Sequence, residues 1–279
     1  MIAVGYHGRV KKALIAAAIA VTMAAILAAV GIAGAAWMGE RRLARTVEVR
    51  VVPVAYTRDP AAPKLGKHLF ESRGCALCHG ADGRGIAVVN ADGIEVRAPN
   101  ITRGAGGVVA DYNEGDWVRS IRHGVSPAGH ALMFMPSDAY NRIPDRELAA
   151  LVAYVRSLPP VAGEAATIAL PLAFKVKYGL GIIRDASEKI DHRKPPPLAI
   201  APAASAEFGA SLAPLCTACH GESVGPMERY DTLDKFAAMM RTGRRPDGSE
   251  IGSAMPFLAL RNLDDVELAA LYAHFRTGR

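Results

Sequence analysis

The chain has 279 residues, room for two domains of ordinary size once a hydrophobic N-terminus is set aside. Its formal charge is +6, but Arg9, Lys11 and Lys12 precede the hydrophobic segment and leave +3 beyond it, too small a surplus to argue for nucleic acid as a partner. All four cysteines fall in two Cys-x-x-Cys pairs, so no further thiol site is available.

Between Ala13 and Met38 no residue is charged, and Ala, Ile, Val and Leu dominate. As a helix this stretch would run about 39 Å, enough to cross a hydrocarbon core of roughly 30 Å with some tilt. The expectation is a transmembrane anchor over 13–38, with 1–12 cytoplasmic and 39–59 a juxtamembrane linker. Ala33-Gly34-Ala35 after a basic start also suits a signal-peptide cleavage site. Signal cores run only about 7–15 residues, which favours the anchor, and on either reading the bulk of the chain is exported. Arg41, Arg42, Arg45 and Arg50 outweigh the basic residues before the segment, against a simple positive-inside count.

Gly66-Lys67-His68-Leu69-Phe70 predicts a short helix with an apolar stripe, and Cys75-Ala76-Leu77-Cys78-His79 follows it. The pentad recurs as Cys216-Thr217-Ala218-Cys219-His220. Cys-x-x-Cys-His is the attachment signature of c-type haem. Two thiols on one turn each form a thioether to a haem vinyl group, and the next residue aims its imidazole at the iron. A redox disulfide needs no histidine after each pair. A shared zinc site would have to span the 137 residues between the pairs, and structural disulfides would gain little from such tight loops.

Further along, Trp117 to Gly124 predicts a helix closed by glycine, and Phe236 to Gly243 repeats it. Met135-Pro136 and Met255-Pro256 come next, each followed by an amphipathic helix, Asp145 to Leu151 and Asp265 to Leu271, the second capped by Asp264. Residues 161–203 separate the copies; Pro159-Pro160 and Pro195-Pro196-Pro197 mark extended linker chain. The apolar run Leu170 to Ile183 is too short for a second span and is expected to pack across a domain face or touch a partner.

This order of helix, haem motif, loops, Met-Pro and C-terminal helix resembles the class I cytochrome c domain, over 60–160 and again over 204–279. The resemblance implies an all-α fold of two tandem cytochrome c domains and two covalently attached haems c. Cys75, Cys78, Cys216 and Cys219 would tether them, and His79 with Met135 and His220 with Met255 would ligate the irons. Met133 competes with Met135 but lacks the following proline. Pro99 and Pro226 resemble the prolines whose carbonyl orients the motif histidine; Pro226 stands in a much shortened loop. Trp117 would lie beside a haem edge or its propionates, with Phe236 in the matching place, although an aromatic on a helix is otherwise simply core. From motif histidine to methionine is 56 residues in the first copy and 35 in the second, which predicts a second haem more exposed on one side. His68, His123, His130 and His274 have no repeated context and read as surface or packing residues.

Taken whole, the chain resembles membrane-anchored di-haem cytochromes c of bacterial respiratory chains, including the cytochrome subunits of periplasmic sugar and alcohol dehydrogenases. Those subunits commonly carry three haems, and this chain has two motifs. The resemblance implies an electron-transfer protein or subunit rather than an enzyme, single-pass in the cell inner membrane with its haem domains in the periplasm. It would carry single electrons between a dehydrogenase or quinol donor and a respiratory acceptor, another cytochrome or a terminal oxidase, with the membrane as a further partner. The rival from another class is a di-haem peroxidase with one open iron, in which His123 or His130 would be suspect; it requires one copy without a fixed methionine. A thiosulfate-oxidising enzyme would call for a further cysteine. A subunit serving a larger oxidase or dehydrogenase differs from the leading reading only in its partner.

Overall fold

The apolar N-terminal stretch forms one uninterrupted helix, α1 (Ala3–Leu43), exposed at every position from 11 to 34. A helix apolar all round has no single stripe to bury in a globular core, and α1 is long and apolar enough to cross a bilayer by length and composition. The computed structural model describes residues 3–221, 224, 227–252 and 254–277.

α2 (Ala62–Ser72) carries Pro63 in its first turn and is followed by α3 (Cys75–His79), which Gly74 enters at a φ of 83°. The strands β1 (Ala87–Ala91) and β2 (Ile94–Arg97) form a hairpin across Asp92-Gly93, both with positive φ. That is the backbone an Asp-Gly turn favours. A capping box of Asn113 and Asp116 starts α4 (Glu114–His123), and left-handed Gly124 ends it. α5 (Ser137–Tyr140) and α6 (Asp145–Ser157) complete the first set of helices. β3 (Thr167–Ala169) then pairs antiparallel with β2, giving a sheet in the order β1-β2-β3. The helical expectation therefore holds with an addition, a small sheet whose first two strands precede α4 and whose third follows α6.

α7 (Leu172–Gly179) follows. The later helices repeat the earlier ones: α8 (Ala206–Leu212), α9 (Pro214–His220), α10 (Leu233–Thr242) closed by Gly243, α11 (Phe257–Leu260), and α12 (Asp265–Arg276). Asp264 caps α12 through a box with Glu267.

The chain divides into two units, Met1–Arg45 with Leu170–Arg184, and Thr46–Ala169 with Asp185–Arg279. The second contains two hydrophobic cores. In one, Leu69 and Phe70 of α2 meet Trp117, Val118 and Ile121 of α4 and Leu148, Leu151 and Val152 of α6. In the other, Phe208 and Leu212 of α8 meet Phe236 and Met240 of α10 and Leu268 and Leu271 of α12. The same crossing builds both: a Cβ on Gly66 would fall 2.0 Å from the Ala150 carbonyl oxygen, and one on Gly209 would fall 2.1 Å from that of Ala270. Only glycine lets α2 approach α6, and α8 approach α12, this closely.

Residues 161–203 are more structured than an extended linker. They contain β3, α7 and a 3₁₀ turn, Ala186–Glu188, whose Asp185 cap is buried. Beyond that turn, Lys189 pairs with Asp138 at 3.1 Å and Arg142 donates to the Pro195 carbonyl at 2.7 Å. His192 and His123 face each other with their Nδ1 atoms 2.9 Å apart.

Candidate functional site

Gly74 lets the chain turn into α3 so that Cys75, Cys78 and His79 occupy one short helix, all half-buried. Burial pushes the Cys75 thiol up to about 12 and raises Cys78, so neither resembles the low-pKa thiolate of a redox pair. His79 Nδ1 lies 3.0 Å from the Pro99 carbonyl oxygen. A carbonyl only accepts, so Nδ1–H donates and Nε2 keeps its lone pair for a metal. Burial lowers the pKa of His79 against the opposing pull of that bond, which keeps the ring neutral and able to ligate. Trp117 is 5% exposed, and its indole N–H meets no acceptor among the described residues. A buried N–H without a partner is costly; the propionate of a haem is a suitable acceptor. The residues present therefore fit a covalently held haem on three independent points: the thiol pair, the oriented imidazole and the orphaned indole donor.

The two Met-Pro turns fold alike. Ser137 N–H donates to the Met135 carbonyl at 2.8 Å, and Phe257 N–H donates to that of Met255 at 2.7 Å. Pro136 and Pro256 have φ, ψ of −78°, 56° and −75°, 56°. Met135 packs against the first core and Met255 against the second. Met133 is half-buried outside that cluster.

The second Cys-x-x-Cys-His helix is more open. Burial pushes Cys216 up to about 11, but Cys219 and His220 are exposed. Pro226 lies outside the described residues. Phe236, in the place of Trp117, is buried and has no donor to offer. A cleft of about 730 Å³ opens beside the Met255-Pro256 turn, lined by Gly243, Ile251, Met255 and Phe257 together with Leu77 and Val88 from the first half. That volume is within the range of small-molecule and cofactor sites.

The two halves grip each other reciprocally. α5, which follows Met135-Pro136, packs on α9, while α11, which follows Met255-Pro256, packs on α3 and α2. Such an exchange of equivalent contacts is the pattern of a two-fold pair. Tyr140 donates to the Arg73 carbonyl at 2.8 Å, and Leu215 packs against the first core. Arg73 Nη2 reaches Glu267 Oε1 at 2.6 Å, with both side chains about 95% buried. Glu267 Oε2 meets His68 Nε2 at 2.9 Å and accepts from the Asp264 N–H at 3.0 Å. Burial pushes Glu267 up, but the bonds from His68 and the Arg73 charge overcome it and hold the carboxyl at about 2. The same bond raises His68. Sequence reasoning saw the Asp264 cap but not this triad, because its members stand 194 and 199 residues apart and no local pattern pairs them.

A helical domain with a thiol pair and an oriented imidazole on one turn is the arrangement of a covalent-haem electron-transfer domain. Residues 63–159 match the cytochrome c family, a match that implies covalently held haem c. The fructose dehydrogenase cytochrome subunit of Gluconobacter japonicus is 32% identical over 125 residues, covering 42% of this chain and 26% of that subunit. The cbb3-type cytochrome c oxidase subunit CcoP of Helicobacter pylori (strain 52) is 32% identical over 123 residues, covering 43% and 36%. The gluconate 2-dehydrogenase cytochrome c subunit of Pantoea cypripedii is 28% identical over 131 residues, covering 44% and 30%. The chain thus spans between about a quarter and somewhat over a third of the length of these relatives. Two of the three are cytochrome subunits of dehydrogenases, and the third is a subunit of a cytochrome c oxidase.

Proposed function

We propose that the chain is a membrane-anchored di-haem cytochrome c, with tandem domains over 60–160 and 204–279, that carries single electrons in the periplasm between a dehydrogenase or quinol donor and a respiratory acceptor. The observation that carries the two-haem reading is the repetition of backbone geometry at Met135-Pro136 and Met255-Pro256, each seated on its own core. Cys75 and Cys78 would tether one haem, with His79 and Met135 on its iron; Cys216 and Cys219 would tether the other, with His220 and Met255. When bound, haem c supplies a one-electron iron couple, and methionine as sixth ligand raises its potential.

The protein's residues do the rest. The Pro99 carbonyl holds His79 in the tautomer that leaves Nε2 free. As sixth ligands, Met135 and Met255 would fill the position a substrate such as peroxide needs, which is why the peroxidase alternative stands second. The first apolar core shields the first site while the second stays more open, and the reciprocal contacts of α5 with α9 and of α11 with α3 hold the sites in one body, so an electron would cross between them without a diffusive encounter. The cytochrome subunits among the relatives support a dehydrogenase or an oxidase as the partner. The test is haem content and oxidised spectra of the full chain. Two haems per chain, with a sulfur-to-ferric-iron band of matching intensity at the near-infrared edge, are expected; a single haem, or a band for one methionine only, would sink the reading.

A further inference from the structure

The apolar run Leu170 to Ile183, expected to pack across a domain face or touch a partner, folds against the end of α1 within the same unit. We propose that α7 and the turn after it lie in the headgroup region of the bilayer, as a second membrane contact that selects anionic lipid. The proposal rests on reading α1 as a membrane anchor.

Geometry fixes the level. α7 packs against the stretch of α1 that begins at Ala35 and runs past Met38, the last residue of the uncharged run. The approach is as close as two helices allow: a Cβ on Gly39 would fall 2.1 Å from the Lys175 carbonyl oxygen, and one on Gly179 would fall 2.0 Å from that of Ala35. Small residues four apart, Ala35 and Gly39, are how membrane helices admit a neighbour's backbone. Arg42 donates to the Tyr178 carbonyl, Arg45 Nη1 lies 2.5 Å from the Tyr178 hydroxyl, and Lys175 pairs with Glu40 at 2.5 Å. Trp37, exposed and covered by the Arg41 guanidinium at 5.0 Å, is an aromatic where a membrane interface places one.

Chemistry fixes the occupant. Leu172, Leu180 and Ile182 are 59%, 57% and 70% exposed, an apolar surface on a segment of eight helical residues, about 12 Å long and far too short to span. Around it stand six basic residues, Arg41, Arg42, Arg45, Lys175, Lys177 and Arg184, and one acidic one, Glu40. Leucine and isoleucine tips flanked by lysine and arginine match the boundary between acyl chains and anionic phosphates. The same fold accounts for the arginines that run against the positive-inside count: Arg42 and Arg45 are structural partners of Tyr178.

The experiment uses the haem-loaded full chain, whose four native cysteines are consumed by attachment, in vesicles of phosphatidylcholine with or without one third phosphatidylglycerol. Single nitroxides are placed through Leu172→Cys, Leu180→Cys and Ile182→Cys, with Val21→Cys reporting the anchor and Leu198→Cys reporting water. Labels at 172, 180 and 182 are expected to be reached by oxygen and protected from a water-soluble nickel chelate, at a shallower depth than 21, and deeper when phosphatidylglycerol is present. If 21 is protected while those three are as nickel-accessible as 198, the lipid contact is wrong and the anchor stands. Protection from both reagents would mean a protein surface covers the patch and would overturn the proposal, as would equal depths in the two lipids. Nickel access at 21 would remove the anchor itself, and the proposal with it.

Discussion

At the scale of single residues, the two proposed ligand methionines share a backbone but not an environment. Met135 packs on the first core, whereas Met255 lines an open cleft. Met135→Ala and Met255→Ala are each expected to keep both haems attached and to remove half of the sulfur-to-iron band, with a fall in potential at the affected site. Added imidazole should bind the Met255 variant more readily, since the cleft already admits solvent. An unchanged band in Met135→Ala would move the assignment to another residue, with Met133 first in line. Trp117 is a finer case. Trp117→Phe keeps most of the packed ring and removes only the N–H that lacks an acceptor among the described residues, so it should shift the potential of the first haem more than it shifts thermal stability. A variant that unfolds early at an unaltered potential would show the indole to be packing alone.

Helix pairs carry the fold at the next scale, and they were the most legible part of the sequence. Periodicity and end signals marked them: Gly124 and Gly243 do close α4 and α10, and Asp264 does cap α12. Gly66 and Gly209 were visible as aligned residues, but why they are glycines emerges only from the crossings they permit. Gly209→Ala puts a methyl group into the Ala270 carbonyl and should destabilise the second half by about 1–3 kcal/mol or more, read as an earlier thermal transition. Gly252→Ala, whose Cβ would meet nothing within 4 Å, should stay within about 0.5 kcal/mol of the parent. The sheet was not legible for a physical reason. The Asp92-Gly93 turn is a local hairpin signal, but β3 reaches β2 from about 70 residues away, and three residues of strand carry no period worth reading. The linker misled through its prolines. They predicted extended chain, while Asp185 caps a turn between them and Lys189 and His192 dock it to the first half.

At the scale of the whole molecule, the union of the two haem-motif halves depends on a buried charge cluster that neither half could satisfy alone. Taking Arg73 and Glu267 out of water is expensive, and their attraction repays it only while both are present. Glu267→Ala leaves the Arg73 guanidinium buried without its partner, and a loss of about 3–5 kcal/mol is expected, with one cooperative unfolding transition separating into two. The pH dependence follows from the direction of each shift. Glu267 binds its proton at about 2 in the folded chain against an ordinary value of 4.5. Its contribution is therefore complete above 4.5 and is lost as pH falls from there through 2. His68 is shifted the other way, so its contribution is complete below 6.5 and fades as pH rises through its raised value. His123 adds to the acid limb. Burial, reinforced by repulsion from His192, lowers it to about 4, so protonation works against the docked linker as pH drops from 6.5 through 4. Thermal unfolding of the parent across this range should show two falls in stability on the acid side, one above pH 4 and one below 4.5. His123→Gln should diminish the first and Glu267→Gln the second, while Glu267→Gln also lowers stability at neutral pH because the neutral amide no longer balances Arg73. If Glu267→Gln and the parent lost stability in parallel below pH 4.5, the carboxylate would not be what joins the halves, and the reciprocal packing of α5 on α9 and α11 on α3 would have to hold them by itself.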